Sequence, residues 1–224
     1  MYVGPDIVTD GLVFAVDAGS ERCYPGSGTS TTNIMSQASP GTLQNGVGFN
    51  TANGGFWEFD GVDNKIEVTS FPTQVFNGSC TMESWVYWND DSRSIILGNY
   101  NVGANDVNFE KLTGKTLRFY WNRGERDVTA SNVVVLNTWQ CVVFVRDITA
   151  NAFKFYVNGL LVATVSNDGS NIRSTSSTFR IGADSRNGST VTNGDISTVR
   201  MYSQALTATE ILQNFNAQKS RFGL

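Results

Sequence analysis

Apolar and polar residues alternate along most of the chain, in short runs separated by glycine, asparagine and aspartate. Such alternation predicts half-buried β-strands. The run 80–88 is a long aromatic strand, and 139–146 is almost continuously apolar, as expected of a central strand buried on both faces. The other predicted strands are 11–17, 56–60, 65–68, 94–98, 107–112, 116–121, 153–157, 160–165, 178–182 and 196–202, with short ones near 42–43 and 47–49.

Only the end of the chain has a helical pattern. Thr207 and Glu210 form a capping box, in which the threonine accepts a hydrogen bond from the Glu210 amide and the carboxylate reaches back. The apolar positions that follow predict one stripe on a short helix over 207–217: Ile211, Leu212 and Phe215. A helix that closes a long series of strands directs the search for function to loops.

Turn residues support an all-β fold. Asn158-Gly159 between two strands is a strong hairpin signal, because both turn positions require positive φ. The chain contains 22 glycines against 4 prolines, which suits many short strands joined by tight turns. We expect one domain over 1–224, an antiparallel β-sandwich jelly roll with one short C-terminal helix.

Charge and the distribution of apolar residues argue against several classes of partner and location. The net charge of -4 and the 16 scattered basic residues provide no basic stripe, so we expect no nucleic-acid partner. No apolar run approaches about 18 residues, so we expect no membrane insertion. The first residues lack the charged and apolar regions of a secretory signal, so we expect no signal peptide.

The three cysteines, Cys23, Cys80 and Cys141, are widely separated and odd in number. This pattern is a poor disulfide framework and a poor metal cluster, so we interpret them as free thiols. The chain has no histidine, which excludes Ser-His and Cys-His nucleophile systems.

Several strings occur together, in order, across nearly the whole chain. They are Phe59-Asp60-Gly61-Val62-Asp63-Asn64, Met82-Glu83-Ser84-Trp85-Val86, Trp139-Gln140-Cys141-Val142, Phe155-Tyr156-Val157-Asn158-Gly159, Phe179-Arg180-Ile181-Gly182, and Gly194-Asp195-Ile196 with Ala205-Leu206 and Glu210-Ile211. In this order they resemble the laminin-G-like jelly-roll domains of the concanavalin A-like lectin and glucanase superfamily. The resemblance implies a sandwich fold.

A second set of strings resembles domains in structural proteins of tailed bacteriophages, including cyanophages. It comprises 7–12, 15–19, 24–29 and 214–217 with 221–223. This resemblance implies a non-enzymatic virion surface protein, made in the host cytoplasm, either a capsid decoration subunit or a fibre or tail-tip module. The implied partners are other virion proteins and host-surface glycans, and symmetric virion positions favour a homo-oligomer.

The same superfamily includes glucanases, so the carboxylates need a test. Glu58 and Asp60 lie on one strand face, as an acid and a nucleophile would. With Asp63 they form the pattern E-x-D-x-x-D, which superficially resembles a strand of a retaining glucanase. The pattern coincides with the Phe-Asp-Gly corner and lacks the final glutamate of such a strand, which argues against catalysis.

Calcium is the cofactor that this corner would suit, because the ion takes oxygen ligands from loops. The candidate ligands are Asp60, Asp63 and Asn64, with Asp17 and Asp195 as second contributors. The alternative is a set of Asx turns, in which these side chains bind nearby backbone amides.

Sugar binding requires an exposed aromatic ring and planar polar side chains. The candidates beside loops are Trp88 with Asp90, and Trp121 with Asn122 and Arg123. Trp57, Trp85 and Trp139 are expected in the core. Two alternatives to the virion protein stay open, a stand-alone carbohydrate-binding lectin and a glycoside hydrolase.

Overall fold

The computed structural model describes residues 5–36, 40–99, 106–121, 126–167, 169, 172, 178–184 and 190–224. In these ranges the strands are β1 (Leu12–Asp17), β2 (Ser30–Thr31), β3 (Gly41–Gln44), β4 (Gly48–Asn50), β5 (Phe56–Asp60), β6 (Lys65–Val68), β7 (Cys80–Trp88), β8 (Ser94–Gly98), β9 (Val107–Leu112), β10 (Thr116–Trp121), β11 (Arg126–Ala130), β12 (Gln140–Asp147), β13 (Ala152–Val157), β14 (Leu160–Ser166), β15 (Phe179–Ile181) and β16 (Asn193–Tyr202). The helix α1 spans Ala208–Gln218, and short 3-10 turns span Ala52–Gly54, Thr73–Asn77 and Lys219–Phe222.

The described strands form two antiparallel sheets that pack as a sandwich. Sheet A has the order β14-β13-β12-β7-β16-β5-β4, and β1 also pairs with β16. Sheet B has the order β11-β10-β9-β8-β15-β6-β3-β2. The expected all-β sandwich with one short C-terminal helix is confirmed.

The core between the sheets is strongly aromatic. Phe119 of sheet B stacks on Phe144 of sheet A with ring centroids 3.8 Å apart. Trp121 lies 5.2 Å from Phe153 across the same interface. These rings come from the apolar positions of alternating strands, so the alternation fixed which face of each strand turned inward.

A second apolar layer lies on the outer face of sheet A, where α1 and the final 3-10 turn cover it. The Trp85 ring stacks on Phe222 at 4.0 Å and on Phe215 at 5.7 Å between centroids. The capping box is present, with Thr207 N donating to Glu210 Oε2 at 2.7 Å and Glu210 N donating to Thr207 Oγ1 at 3.3 Å. Within the predicted apolar stripe, Ile211 is buried, whereas Leu212 is 42% exposed.

A buried polar cluster anchors α1 to sheet A. Arg200 Nη1 donates to Glu83 Oε1 at 2.7 Å and to Gln218 Oε1 at 2.8 Å. Asn214 Nδ2 donates to the other oxygen of Glu83 at 2.9 Å. Because Glu83 and Arg200 are both buried, each charge depends on the other to offset its lost hydration.

The Asn158-Gly159 hairpin joins β13 and β14, with φ values of 51° and 80° at the two turn residues. The segments 56–60 and 65–68 are strands at the expected positions, but they belong to different sheets. Their connection is therefore a corner that crosses the sandwich. No helix in the described part of the chain is long and apolar enough to cross a membrane.

Candidate functional site

The outer face of sheet B is polar because its strands alternate. Phe109 and Phe119 turn into the core, so Asn108 on β9 and Tyr120 on β10 turn outward. Unlike the outer face of sheet A, this face is not covered by α1, whose packing partners are in the apolar layer on sheet A.

Cross-strand pairing aligns outward positions from six strands in one row. Tyr120 pairs with Asn108, Asn108 with Gly98, and Gly98 with Arg180. Arg180 pairs in turn with Glu67, and Tyr120 with Asp127 at the other end. We call these residues the polar row: Asp127, Tyr120, Asn108, Gly98, Arg180 and Glu67. Directly paired positions have side chains close enough to contact one ligand.

Asn108 at the centre of the row is fully buried, and neither its Nδ2 nor its Oδ1 has a hydrogen-bond partner among the residues that the structure describes. Its Oδ1 lies 1.9 Å from the position that a Cβ on Gly98 would occupy, so only glycine fits beside it. An unsatisfied buried donor or acceptor costs about 1–3 kcal/mol. Groups left in this state are explained by strain, by catalysis or by a ligand that completes them.

A charged cluster lies beside the row. Glu110 accepts from Nε and Nη2 of Arg93 at 2.9 and 2.7 Å, and from Nε of Arg118 at 2.5 Å. The glutamate is buried, whereas the Arg93 and Arg118 side chains keep 28% and 21% of their surface exposed. Two arginines thus shield one carboxylate and present their own edges outward.

The row itself carries two further polar pairs. Tyr120 Oη donates to Asp106 Oδ2 at 2.8 Å, and the Arg118 guanidinium lies 5.1 Å from the centre of the Tyr120 ring. Arg180 donates to Glu67 Oε2 from Nε at 3.1 Å and from Nη2 at 2.9 Å. These pairs hold planar polar groups in fixed orientations on both sides of Asn108.

The predicted sugar-stacking rings do not lie on this face. Trp88 and Trp121 are 1% and 2% exposed and belong to the core, so neither ring has a face to offer a sugar. This corrects the expectation for both tryptophans, since each occupies an inward position of its strand. Asn122 and Arg123 lie outside the described residues.

The predicted calcium ligands act mainly within the corner itself. Asp60 Oδ1 accepts from the Val62 amide at 2.8 Å, which is the Asx turn of the alternative interpretation. Asn64 accepts from Asp60 N at 3.0 Å and donates to Asn45 O at 2.6 Å, so both ends of its amide are used. Asp63 is exposed, and its carbonyl accepts from Asn45 Nδ2 at 3.0 Å.

Among the described residues, no group of three or more acidic, cysteine or histidine side chains could hold a metal ion. The second contributors also lie elsewhere. Asp17 forms an ion pair with Arg221 Nη1 at 2.9 and 3.0 Å, and Asp195 pairs across the sheet with Glu58. The residues present in the corner do not fit a calcium site.

Asp90 lies in the turn after β7, and the structure brings this turn to the Asp60 corner through Asn193. Asn193 Nδ2 donates to Asp90 Oδ2 at 2.7 Å, while Gly61 N donates to Thr192 O at 3.0 Å. The hydrogen bond from the Ser92 hydroxyl is the main cause that lowers the pKa of Asp90. Two of the predicted loops are therefore neighbours, but their polar groups are engaged with each other.

Glu58 and Asp195 form a carboxylate pair on the outer face of sheet A, beyond α1. Burial, and then the charge of Glu58, raise the pKa of Asp195 to about 6. Glu58 also accepts from Asn50 Nδ2 at 3.2 Å. The pair is the second chemically unusual feature of the surface.

The family follows from the comparison with known proteins. The Laminin_G_3 model, described as "Concanavalin A-like lectin/glucanases superfamily", matches residues 59–212, more than half of the chain. The chain belongs to this laminin-G-like family. No curated protein matches it.

Solved structures share the laminin-G-like fold at low sequence identity. The receptor binding domain of botulinum neurotoxin C/D mosaic serotype aligns with a TM-score of 0.72 and 13% identity, over 94% of this chain and 52% of that one. Botulinum neurotoxin type C, whose cell entry is dependent upon interaction with two ganglioside molecules, gives 0.70 and 14%, over 93% and 51%. Trypanosoma rangeli sialidase in complex with the inhibitor DANA gives 0.69 and 16%, over 96% and 34%. The chain spans about half the length of these toxin domains.

Sequence reasoning located β9 and β10 but not the site on them. The available signal was the polar set of the alternation, Asn108 with Glu110 and Arg118 with Tyr120. Those residues lie within strands, whereas the search for sugar ligands concentrated on loops beside tryptophans.

Proposed function

We propose that the protein binds carbohydrate without catalysis, at the polar row on the outer face of sheet B. The observation that carries the proposal is the Asn108 amide between Tyr120 and Arg180, a buried donor and acceptor with no partner in the described part of the chain. A pair of sugar hydroxyls supplies the acceptor and the donor that this amide lacks. The lectin-type fold and the ganglioside dependence of one structural neighbour agree with a glycan ligand.

The test is Asn108→Leu, which keeps the shape of the amide and removes both polar atoms. We expect glycan affinity, measured by calorimetry on hits from a glycan array, to fall at least tenfold. The unfolding midpoint should stay equal or rise, because an unsatisfied buried group is replaced by an apolar one. A loss of stability with unchanged glycan binding would contradict the proposal.

A matched control is Thr198→Val on sheet A. Thr198 Oγ1 is also buried without a partner, so this change removes an equivalent orphaned group from the opposite sheet. Glycan binding should not change in this variant. Equal losses in both variants would indicate a general effect on folding.

Glycoside hydrolysis is a second candidate, favoured by the Glu58 and Asp195 pair. A carboxyl group with a pKa raised to about 6 beside a second carboxyl group favours the pairing of an acid with a nucleophile. Release of reducing ends that is abolished by Glu58→Gln would establish this activity. We expect no release.

The virion-surface role rests on the phage-like strings, and it remains part of the proposal as the setting in which glycan adhesion would act. The structural neighbours described above are toxin domains and a sialidase, so they do not bear on it. Mass spectrometry of purified particles would detect the protein if it belongs to a virion. Its absence from particles would remove this setting and leave the stand-alone lectin.

A further inference from the structure

We infer that the polar row selects neutral, hydroxyl-rich saccharides over sialylated ones, an inference that rests on the proposed carbohydrate binding. Two of the structural neighbours are described with sialic-acid-type or ganglioside ligands. Recognition of a sugar carboxylate is strongest at a cation whose charge is not already offset, and Arg supplies it best through a bidentate contact. Whether the arginines of this face are already paired with protein carboxylates therefore decides between neutral and acidic sugars.

Three arginines of this face, Arg93, Arg118 and Arg180, already bind carboxylates. Arg180 directs Nε and Nη2 to Glu67, and Arg93 directs the same two atoms to Glu110. Arg118 divides its donors between Glu110 and Asp127, the second at 3.4 Å. An incoming sugar carboxylate at any of these guanidinium groups would meet a cation whose charge a protein carboxylate already offsets, and that carboxylate would repel it.

A buried carboxylate lies close to Asn108. Asp106 precedes Asn108 by two residues, within about 7 Å along an extended chain. It is buried and accepts from Tyr120, the cross-strand neighbour of Asn108. A sialic acid carboxylate placed at Asn108 would therefore meet a like charge at short range, whereas hydroxyl groups meet acceptors and donors.

Lys65 is the cation farthest from this centre among the described strands of the face. It lies on β6, separated from β9 by β8 and β15, hence at least about 14 Å from Asn108 at the usual strand spacing. A single hexose bound at Asn108 does not span that distance. Lys65 thus leaves the preference for a neutral sugar unchanged.

The experiment compares pairs of oligosaccharides that share one core, with and without a terminal sialic acid, by calorimetry on the full chain. We expect the neutral member to bind at least tenfold more tightly, and Asn108→Leu to abolish that binding. Glu67→Gln releases the Arg180 donors, so it should raise affinity for the sialylated member at least threefold. Asp147→Asn removes the same charge from an ion pair with Lys154 on sheet A and should change neither affinity.

The outcomes distinguish a failure of the preference for neutral sugars from a failure of carbohydrate binding itself. Tighter binding of the sialylated member that still depends on Asn108 would overturn the preference for neutral sugars and leave carbohydrate binding at the row intact. Binding of either sugar that is insensitive to Asn108→Leu, or no binding at all, would overturn the proposed function and the preference with it.

Discussion

Each outer face of the sandwich has a buried glutamate paired with arginine, but the arginines differ in burial. On sheet A, buried Glu83 is paired with buried Arg200 beneath α1, and Asn214 and Gln218 complete the cluster. On sheet B, buried Glu110 is paired with two arginines whose side chains stay partly exposed. The two carboxylates are equally buried, so the comparison shows that the sheets differ in the burial of the cation, complete beneath α1 on sheet A and partial on sheet B.

Arg200→Met should have the largest effect, because it leaves the Glu83 charge buried without a cation. We expect a loss of about 3–5 kcal/mol in the free energy of unfolding, measured with urea. Arg93→Met is the matched change on sheet B, where Glu110 keeps Arg118 and the loss should be below about 1.5 kcal/mol. Equal losses would refute the distinction between the two faces.

The Glu58 and Asp195 pair on sheet A should make the free energy of unfolding depend on pH. The pKa of Asp195 rises from the unfolded value of 3.8 to about 6 in the folded state. The folded protein therefore binds more protons in that interval, and its stability should fall as pH rises from about 4 to about 6. Allowing for solvent screening, we expect roughly 1–2 kcal/mol, measured as the difference between urea unfolding at pH 4 and at pH 7.

Asp195→Asn should remove this pH dependence and be more stable than the parent at pH 7. Glu58→Gln is the control, since it removes the smaller cause and retains burial, so part of the pH dependence should persist. A parent and an Asp195→Asn protein with the same pH profile would show that Asp195 does not titrate in this interval.

Glu67→Gln should have the smallest effect on stability. Its ion pair with Arg180 is partly exposed on both sides, and such pairs contribute about 0–1 kcal/mol. Urea unfolding should place the variant within 1 kcal/mol of the parent. A loss comparable with that of Arg200→Met would mean that the polar row supports the fold rather than a ligand.

Local sequence predicted individual elements well. Strands β7, β8, β9 and β10 begin and end where alternation and turn residues placed them, and α1 begins after the predicted Thr207 cap. These features depend on residues within a few positions of one another, so they can be inferred from the sequence alone. The sequence did not indicate which part of the helical stripe would pack on sheet A: Ile211 and Phe215 do, and Leu212 stays exposed.

Sites defined by residues far apart in sequence were not predictable in the same way. The polar row takes its members from β11, β10, β9, β8, β15 and β6, so its composition depends on strand order and register. Trp88 and Trp121 lie beside loops in the sequence, yet their inward strand positions bury them. Adjacency to a loop says nothing about which face of the strand a side chain occupies.

The sequence by itself determined the strands, the turns and the helix cap, because periodicity and backbone preferences are local. Only the tertiary structure decided that neighbouring strands β5 and β6 enter different sheets, that α1 covers sheet A, and that Asn108 lies beside Gly98 without a partner. The physical reason is that cross-strand pairing and burial are long-range, and the chemistry of the candidate site arises from both.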